Sequence, residues 1–337
     1  MPFYFYIFFL KKLTLKKLFN AVKAYSSYLL SVLFKKTNRF AYPISISVEP
    51  TAACNLKCPE CPSGNNTLKR TKGDMDFALF KKIIDEFSPY LINLILYFQG
   101  EPFLNKEIFR FTEYASQKKK IFTTTSTNGH FLDVETSKKI VLSGLDKIII
   151  SVDGVTQKTY EKYRKNGNLD KVIEGIKNLA EQRSALKSKT PFIVMQFIVF
   201  RFNEHEIKSI KKLAKTLKVD KLELKSAQIY NFEKNTQLIP TIKQYSRYKK
   251  NKHGKIVIKN RLKNKCKRLW ISSVITNTGN VLPCCFDKDA KYSAGNMKVF
   301  CFKEINNNSF SRDFRKKVSE NRKQIDICRN CTEGLKV

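Results

Sequence analysis

Three thiols stand close together in the stretch CNLKCPEC, at Cys54, Cys58 and Cys61. Thiolates bind zinc and iron, and a closed tetrahedral zinc site takes four protein ligands. Three ligands at this spacing, with the next cysteine roughly two hundred residues on at Cys266, leave two options. Either a distant side chain closes the site, or one coordination position stays open. The other thiols gather late in the chain, at Cys266, Cys284, Cys285, Cys301, Cys328 and Cys331, the last two as CRNC. Nine cysteines are too sparse for a disulfide scaffold at this length, odd in number and clustered, which points to a reduced compartment with metal or iron–sulfur sites. Three further polar motifs could line a site: QGEP at 99–102, STNG at 126–129 and SVDG at 151–154. Each alone is ordinary turn composition.

What must position them is an alternating series of elements between about 44 and 225. Strands are expected at Ile44–Glu49, Leu91–Phe98, Ile121–Thr125, Lys147–Val152, Phe192–Phe200 and Val219–Lys225. Amphipathic stretches such as FALFKKIIDEF, LDKVIEGIKNLAEQR and HEIKSIKKLAKTL separate them. Six strands joined by crossover helices imply a parallel sheet, closed or partly closed. The cysteine loop, QGEP, STNG and SVDG then follow strands one to four in turn. Ligands in such folds bind at the carboxyl ends of the strands, so the four loops converge on one mouth.

The 337 residues are 42% hydrophobic, enough for a sizeable core. A net charge of +35 invites a nucleic-acid reading, but 51 lysines against 13 arginines, spread along the chain, suit a solvated basic surface better. Contact with an anionic membrane surface or a polyanionic substrate stays open. The opening MPFYFYIFFLKK is too short for a membrane span and lacks the layout of a signal peptide. Leu15, Leu18, Phe19, Val22, Tyr25, Leu29, Leu30 and Leu33 follow at helical spacing with lysines on the other face. This stripe is expected to pack on its own domain, with a membrane surface as the competing use. His130, His205 and His253 read as surface or loop residues.

The CxxxCxxC triplet after the first strand resembles the radical S-adenosyl-L-methionine (SAM) superfamily, whose fold is a partial (β/α)6 barrel. The resemblance implies that Cys54, Cys58 and Cys61 hold a 4Fe–4S cluster whose fourth iron chelates SAM, which would explain the vacant position. QGEP matches the family's GGEP except at Gln99, so Gly100, Glu101 and Pro102 are candidate SAM contacts. Glu101, or a nearby backbone carbonyl, would accept from the SAM amino group. Ser126, Thr127 and Asn128, then Ser151 and Asp153, match later SAM-proximal segments, and Arg164 is a candidate clamp for the SAM carboxylate. Gln196 on strand five is a further candidate. The implied chemistry is reductive cleavage of SAM to a 5′-deoxyadenosyl radical that abstracts hydrogen from substrate, fed by an electron donor such as flavodoxin or ferredoxin.

Cys266, Gly279 and Cys284 are spaced C-x12-G-x4-C, and Cys328 and Cys331 complete a set of four. The pattern resembles the SPASM/twitch extension, which implies that these four thiols hold one auxiliary 4Fe–4S cluster. TNTGNV reads as a hairpin turn presenting Cys284 at a strand end; Cys285 is the alternative ligand, and a zinc ribbon the alternative site. The expected organisation is therefore a basic amphipathic helix at 1–40, the barrel at 41–228, a linker or insertion at 229–262, and the Cys-rich extension at 263–337. The expected enzyme modifies a peptide or carbohydrate in the cytoplasm, or peripherally at the membrane. No catalytic acid or base stands out, and no peptide-binding module is read before the barrel. Two other classes are kept: a non-enzymatic zinc or iron–sulfur scaffold, and a membrane-bound partner protein in envelope or glycan biosynthesis, suggested by residues 1–36.

Overall fold

The computed structural model describes residues 10–259 and 262–331. Six parallel strands run in sequence order: β1 (Ser45–Val48), β2 (Asn93–Ile95), β3 (Phe122–Thr127), β4 (Lys147–Ser151), β5 (Phe192–Val199) and β6 (Lys221–Ser226). The helices between them include α2 (Phe77–Phe87), α3 (Ile108–Glu113), α4 (Val134–Leu142), α5 (Gln157–Glu161), α6 (Leu169–Ala185) and α7 (Ile207–Thr216). This is the expected partial (β/α)6 barrel. Start signals in the sequence act as such, since Asp76, Asp133 and Asn168 each accept a backbone N–H in the first turn of α2, α4 and α6. The central strands β4 (KIIIS) and β5 (FIVMQFIV) carry near-continuous apolar runs, as a sheet covered by helices requires, and the α2 and α3 faces close with Phe80 and Phe111 stacked at 4.2 Å. β2 is shorter than its apolar run because the chain turns inward after Leu96, where Gln99 N donates to the Glu49 carboxylate at 3.1 Å.

The C-terminal region does not fold apart from the barrel. Its strand β9 (Ser272–Ile275) pairs parallel to β1, and β10 (Val281–Leu282) returns antiparallel to β9 through the expected TNTGN turn. Cys284 thus leaves the end of β10. Within 229–262, expected as a linker or insertion, the described residues are packed: a small hairpin of β7 (Tyr248–Lys250) and β8 (Ile256–Ile258) buries Tyr248, which shares a cluster with Leu56, Cys58 and Tyr163. Tyr248 is held at both ends of that segment, accepting from Ile229 N and donating to Asn330 of CRNC at 3.2 Å.

The first helix, α1 (Leu15–Phe34), corrects the expectation for its stripe. It packs on the domain through polar and small residues, Lys17, Asn20, Ala24, Ser27 and Ser31. Lys17 donates to Lys120 O just before β3, Asn20 to Tyr42 O and Tyr90 O before β1 and β2, and Ser27 to Asn38 O. The helix lies across the amino ends of the strands, opposite the mouth, and its apolar face points outward. Periodicity identifies an apolar face; unsatisfied carbonyls at the barrel floor decide which face turns in. Residues 1–9 lie outside the described residues. No helix among the described residues is long and apolar enough to cross a membrane.

Candidate functional site

The carboxyl ends of β1 to β6 surround a cavity of about 430 Å³, a size suited to a small-molecule ligand. Cys54, Cys58 and Cys61 line one wall, and no disulfide forms among the described cysteines. Burial pushes the Cys54 thiol up to about 11 and raises Cys58 as well. Metal binding would displace those protons, as it does wherever thiols become ligands. Gly100 closes the approach between this loop and QGEP. It sits at φ +73°, and a Cβ there would meet Thr51 O at 2.4 Å and Ala53 O at 2.6 Å. Its neighbour Glu101 donates its backbone N–H to Ala53 O at 2.7 Å.

Seven of the nine anticipated SAM contacts line the cavity: Gly100, Glu101, Ser126, Thr127, Asn128, Ser151 and Arg164. Gln196 faces it too, while Pro102 and Asp153 stand behind the wall. Their surroundings separate residues that point at a ligand from residues that hold others. The buried Glu101 carboxylate takes Thr127 Oγ1 at 2.8 Å, Asn128 N at 2.7 Å and Phe103 N at 3.3 Å, so it ties the loop after β2 to the loop after β3. Burial still lifts it to about 7. Asn128 donates to Asn55 Oδ1 at 2.7 Å and sits 4.0 Å from Cys54 Sγ. His130, expected at a surface or loop position, lies in the turn after β3 and is buried behind Asn128, with Nδ1 against Asn128 and Nε2 accepting from Asn168 N at 2.9 Å. His205 and His253 are exposed as expected.

Arg164 reaches 3.9 Å from Cys58 Sγ, and its Nε donates to Asp153 Oδ2 at 2.6 Å. Asp153 spends its other oxygen on Ile198 N at 2.6 Å. Burial opposes the guanidinium charge, yet Asp153 and Cys58 more than offset it and hold Arg164 protonated. The far wall carries residues that sequence reasoning passed over: Lys225, Ser226, Gln228, Tyr230, Arg247 and Lys288. Three lining groups present buried polar atoms without partners, namely Gln99 Oε1, Ser226 Oγ and Arg247 Nη1. Orphaned polar atoms around a cavity are costly unless a ligand satisfies them. The cavity continues into a second one of about 520 Å³ toward the C-terminal region, sharing Gln228, Tyr230 and Lys288 with the first.

The second thiol group forms around another arginine. Arg322 Nη2 lies 3.2 Å from Cys331 Sγ; burial lowers its proton affinity, while Cys266, Cys331 and Cys328 outweigh that and raise it. Cys284 interacts with Cys266, whereas Cys285 faces Arg268 Nη1 at 3.2 Å and packs near Phe98. A hydrogen bond between the two raises Cys284 and lowers Cys285. Cys301 is exposed and caps the helix α8 (Phe302–Asn307). A buried cation among Cys266, Cys328 and Cys331 fits a polynuclear thiolate centre, whose negative charge needs offsetting.

A family model described as the radical SAM superfamily matches residues 48–214, and the SPASM model, an iron–sulfur cluster-binding domain, matches residues 266–332. The second match sets aside the zinc alternatives. A probable GTP 3′,8-cyclase of Saccharolobus solfataricus is 30% identical over 192 residues, covering 56% of this chain and 58% of that protein. The mycofactocin maturase MftC of Mycobacterium tuberculosis is 29% identical over 138 residues, 41% of this chain and 34% of the maturase. The chain thus spans about a third to three fifths of these curated relatives. Among solved structures, SuiB of Streptococcus suis bound to S-adenosylmethionine aligns with TM-score 0.61 at 15% identity, over 84% of this chain and 70% of SuiB. BtrN in complex with AdoMet and 2-DOIA aligns with TM-score 0.53 at 20% identity, over 86% and 93%. At these identities the likeness is one of fold.

Proposed function

We propose, from the premise that the chain belongs to the radical SAM superfamily and carries a SPASM domain, that this enzyme modifies an extended substrate with an acidic group, best matched by a peptide segment. Its cofactors are SAM, a SAM-binding 4Fe–4S cluster and auxiliary iron–sulfur chemistry. When bound, SAM and its cluster supply a carbon-centred radical that takes hydrogen from an unactivated carbon.

In this reading Cys54, Cys58 and Cys61 hold the SAM-binding cluster, and Cys266, Cys284, Cys328 and Cys331 the auxiliary one. Cys284 is preferred over Cys285 because it interacts electrostatically with Cys266, whereas Cys285 faces Arg268. Ser126, Asn128, Ser151 and the backbone around Gly100 meet SAM, with Arg164 opposite its carboxylate. Glu101, Asp153 and His130 position these groups. Leu56, Tyr163 and Phe200 keep water from the reacting carbon. Lys225, Arg247 and Lys288 receive the acidic group of the substrate.

One observation carries the reading: the thiol triplet, the loops after β2 to β4 and the basic wall all line a single cavity that runs on as a groove under the C-terminal region. An elongated groove suits a chain better than a compact ligand. Likeness to a mycofactocin maturase, to SuiB bound to precursor peptide SuiA and to anSMEcpe with the Cp18Cys peptide supports it. The near end-to-end match to BtrN, solved with the small molecule 2-DOIA, favours a compact substrate as the second reading.

The test begins with anaerobically reconstituted protein, SAM and reductant. 5′-Deoxyadenosine should form and be lost in Cys58→Ala. Acidic peptide pools should stimulate its formation more than basic pools, and Arg247→Gln with Lys288→Gln should abolish the difference. Absence of SAM cleavage at full cluster content overturns the function. Stimulation by small polyols and by no peptide pool would replace the peptide with the second reading.

A further inference from the structure

Eleven of the nineteen large hydrophobic side chains exposed among the described residues fall between Leu10 and Phe40. Along α1 they form one stripe, Leu15, Leu18, Phe19, Val22, Tyr25, Leu29, Val32 and Leu33, with Leu15 at 85% and Leu33 at 71% exposure. A continuous apolar stripe of this extent on a helix is rare in water without a partner. The opposite face is consumed. Besides the contacts of Lys17, Asn20 and Ser27, Lys12 pairs with the buried Asp146 at 2.6 Å and donates to Ser116 Oγ at 2.7 Å. The helix is therefore fixed by its polar side and has no freedom to roll its apolar side inward.

We infer that this outward face docks α1 in the plane of an anionic lipid surface. Charge decides the occupant. Lys11, Lys16, Lys23, Lys35 and Lys36 are exposed around the stripe, and no acidic residue occurs before Glu49. A helix rich in lysine, carrying Leu, Phe and Val on the other side, lies in the headgroup boundary of anionic membranes. A protein partner of ordinary surface composition would leave these lysines unpaired. Lys16 and Lys23 keep their chains against Tyr90 and Phe19, at 5.1 and 4.6 Å from the ring centres, which leaves the ammonium groups at the stripe's margin. The helix floors the barrel, so docking turns the cavity mouth toward water and leaves the substrate channel open.

The experiment is flotation of the full chain with vesicles of phosphatidylcholine and phosphatidylglycerol, and with phosphatidylcholine alone. The expected result is recovery with the anionic vesicles at least roughly tenfold above the neutral ones, falling with added salt. Phe19→Glu/Val22→Glu/Leu29→Glu should stop flotation while keeping cluster absorbance and SAM cleavage. Should that variant misfold, Lys23→Glu/Lys35→Glu/Lys36→Glu should also lose binding. Equal recovery of wild type and both variants overturns the inference, as does no recovery of wild type. A lipid-free dimer that the first variant breaks would make a second copy the occupant and overturn it. So would flotation that appears only after residues 2–9, the apolar PFYFYIFF, are deleted.

Discussion

Removing Arg70 should both destabilise the protein and loosen the SAM loop, with a pH dependence that identifies the cause. Arg70 Nη1 donates to Glu49 Oε2 at 2.6 Å and Nη2 to Glu49 Oε1 at 2.5 Å, and Glu49 is fully buried at the end of β1. The same carboxylate accepts from Gln99 N and Asn277 N at 3.1 Å each. Arg70 adds Nε to Lys288 O at 2.7 Å, so the pair joins the cysteine loop's return, the QGEP loop and the C-terminal region. Breaking a buried pair from one side costs about 3–5 kcal/mol, because the partner's charge stays buried. With an unfolding entropy of about 2.1 cal/mol/K per residue over 337 residues, that is a fall of about 4–7 °C in the thermal midpoint of Arg70→Met. Burial already raises the Glu49 proton affinity against the pull of Arg70; without Arg70 it rises further. A group whose folded pKa is raised adds stability below its unfolded value and loses it as pH rises through the folded one. The deficit of Arg70→Met should therefore be larger near about pH 8 than near about pH 5, because acidification favours the neutral form of Glu49, which costs less to bury. Scanning fluorimetry at both pH values, with SAM affinity measured alongside, checks it. An equal deficit at both, or a drop under about 1 °C, would refute the reasoning.

Gly100→Ala should disable the cofactor site, since a left-handed backbone costs a non-glycine residue about 1–3 kcal/mol and the new Cβ meets two carbonyls of the cysteine loop. Iron per chain and SAM binding should both fall with little change in far-UV circular dichroism. Arg322→Gln removes a positive charge beside Cys331, and at an effective dielectric of about 20 and about 7 Å the loss of about 2.4 kcal/mol lowers the auxiliary potential by roughly 100 mV. An EPR-monitored redox titration reads it; a shift below roughly 20 mV contradicts the placement. Glu101, raised to about 7 from 4.5, gives the metal-free protein extra stability below about pH 4.5 that is lost as pH rises through 7, a difference of about 3 kcal/mol. Urea unfolding should show that slope in the wild type and a flatter one in Glu101→Gln.

The parts of the fold and site that sequence made legible are those encoded locally. Apolar runs bounded by turn residues placed all six barrel strands, and the register of CNLKCPEC, QGEP and STNG with strand ends placed the cavity. What escaped depends on pairing across long separations. Glu49 and Arg70, Arg164 and Asp153, or Arg322 among Cys266, Cys328 and Cys331 are ordinary charged residues until the chain is folded. His130 offered one signal, standing directly after STNG at a strand end, where a ring can reach back to Asn128. The segment 229–262 left linker and insertion both open because its polar composition hid Tyr248, whose burial needs partners at both Ile229 and Asn330. For α1 the apolar stripe was visible, and its direction was not, because direction follows from carbonyls at the barrel floor.

The lysine-rich composition, set aside as a surface property, sharpens the meaning of the few arginines. Among the described lysines only Lys17 is buried, held by two backbone carbonyls. Arg39, Arg315 and Arg322 are buried outright among the 13 arginines, and Arg70 and Arg164 expose little side chain. If basic residues were interchangeable, a chain so biased toward lysine would place lysine at these points as well. A compact ammonium is strongly hydrated and loses its proton readily when buried, whereas a guanidinium stays charged and spans two acceptors in a fixed plane. Arg70 needs that fork for both oxygens of Glu49, and Arg164 for Asp153 on one side and Cys58 on the other. Arg322 sits among three thiols in the same way. Arginine persists where a charge must be both permanent and aimed, which are the two requirements of a wall facing thiolate-bound iron and a bound anion.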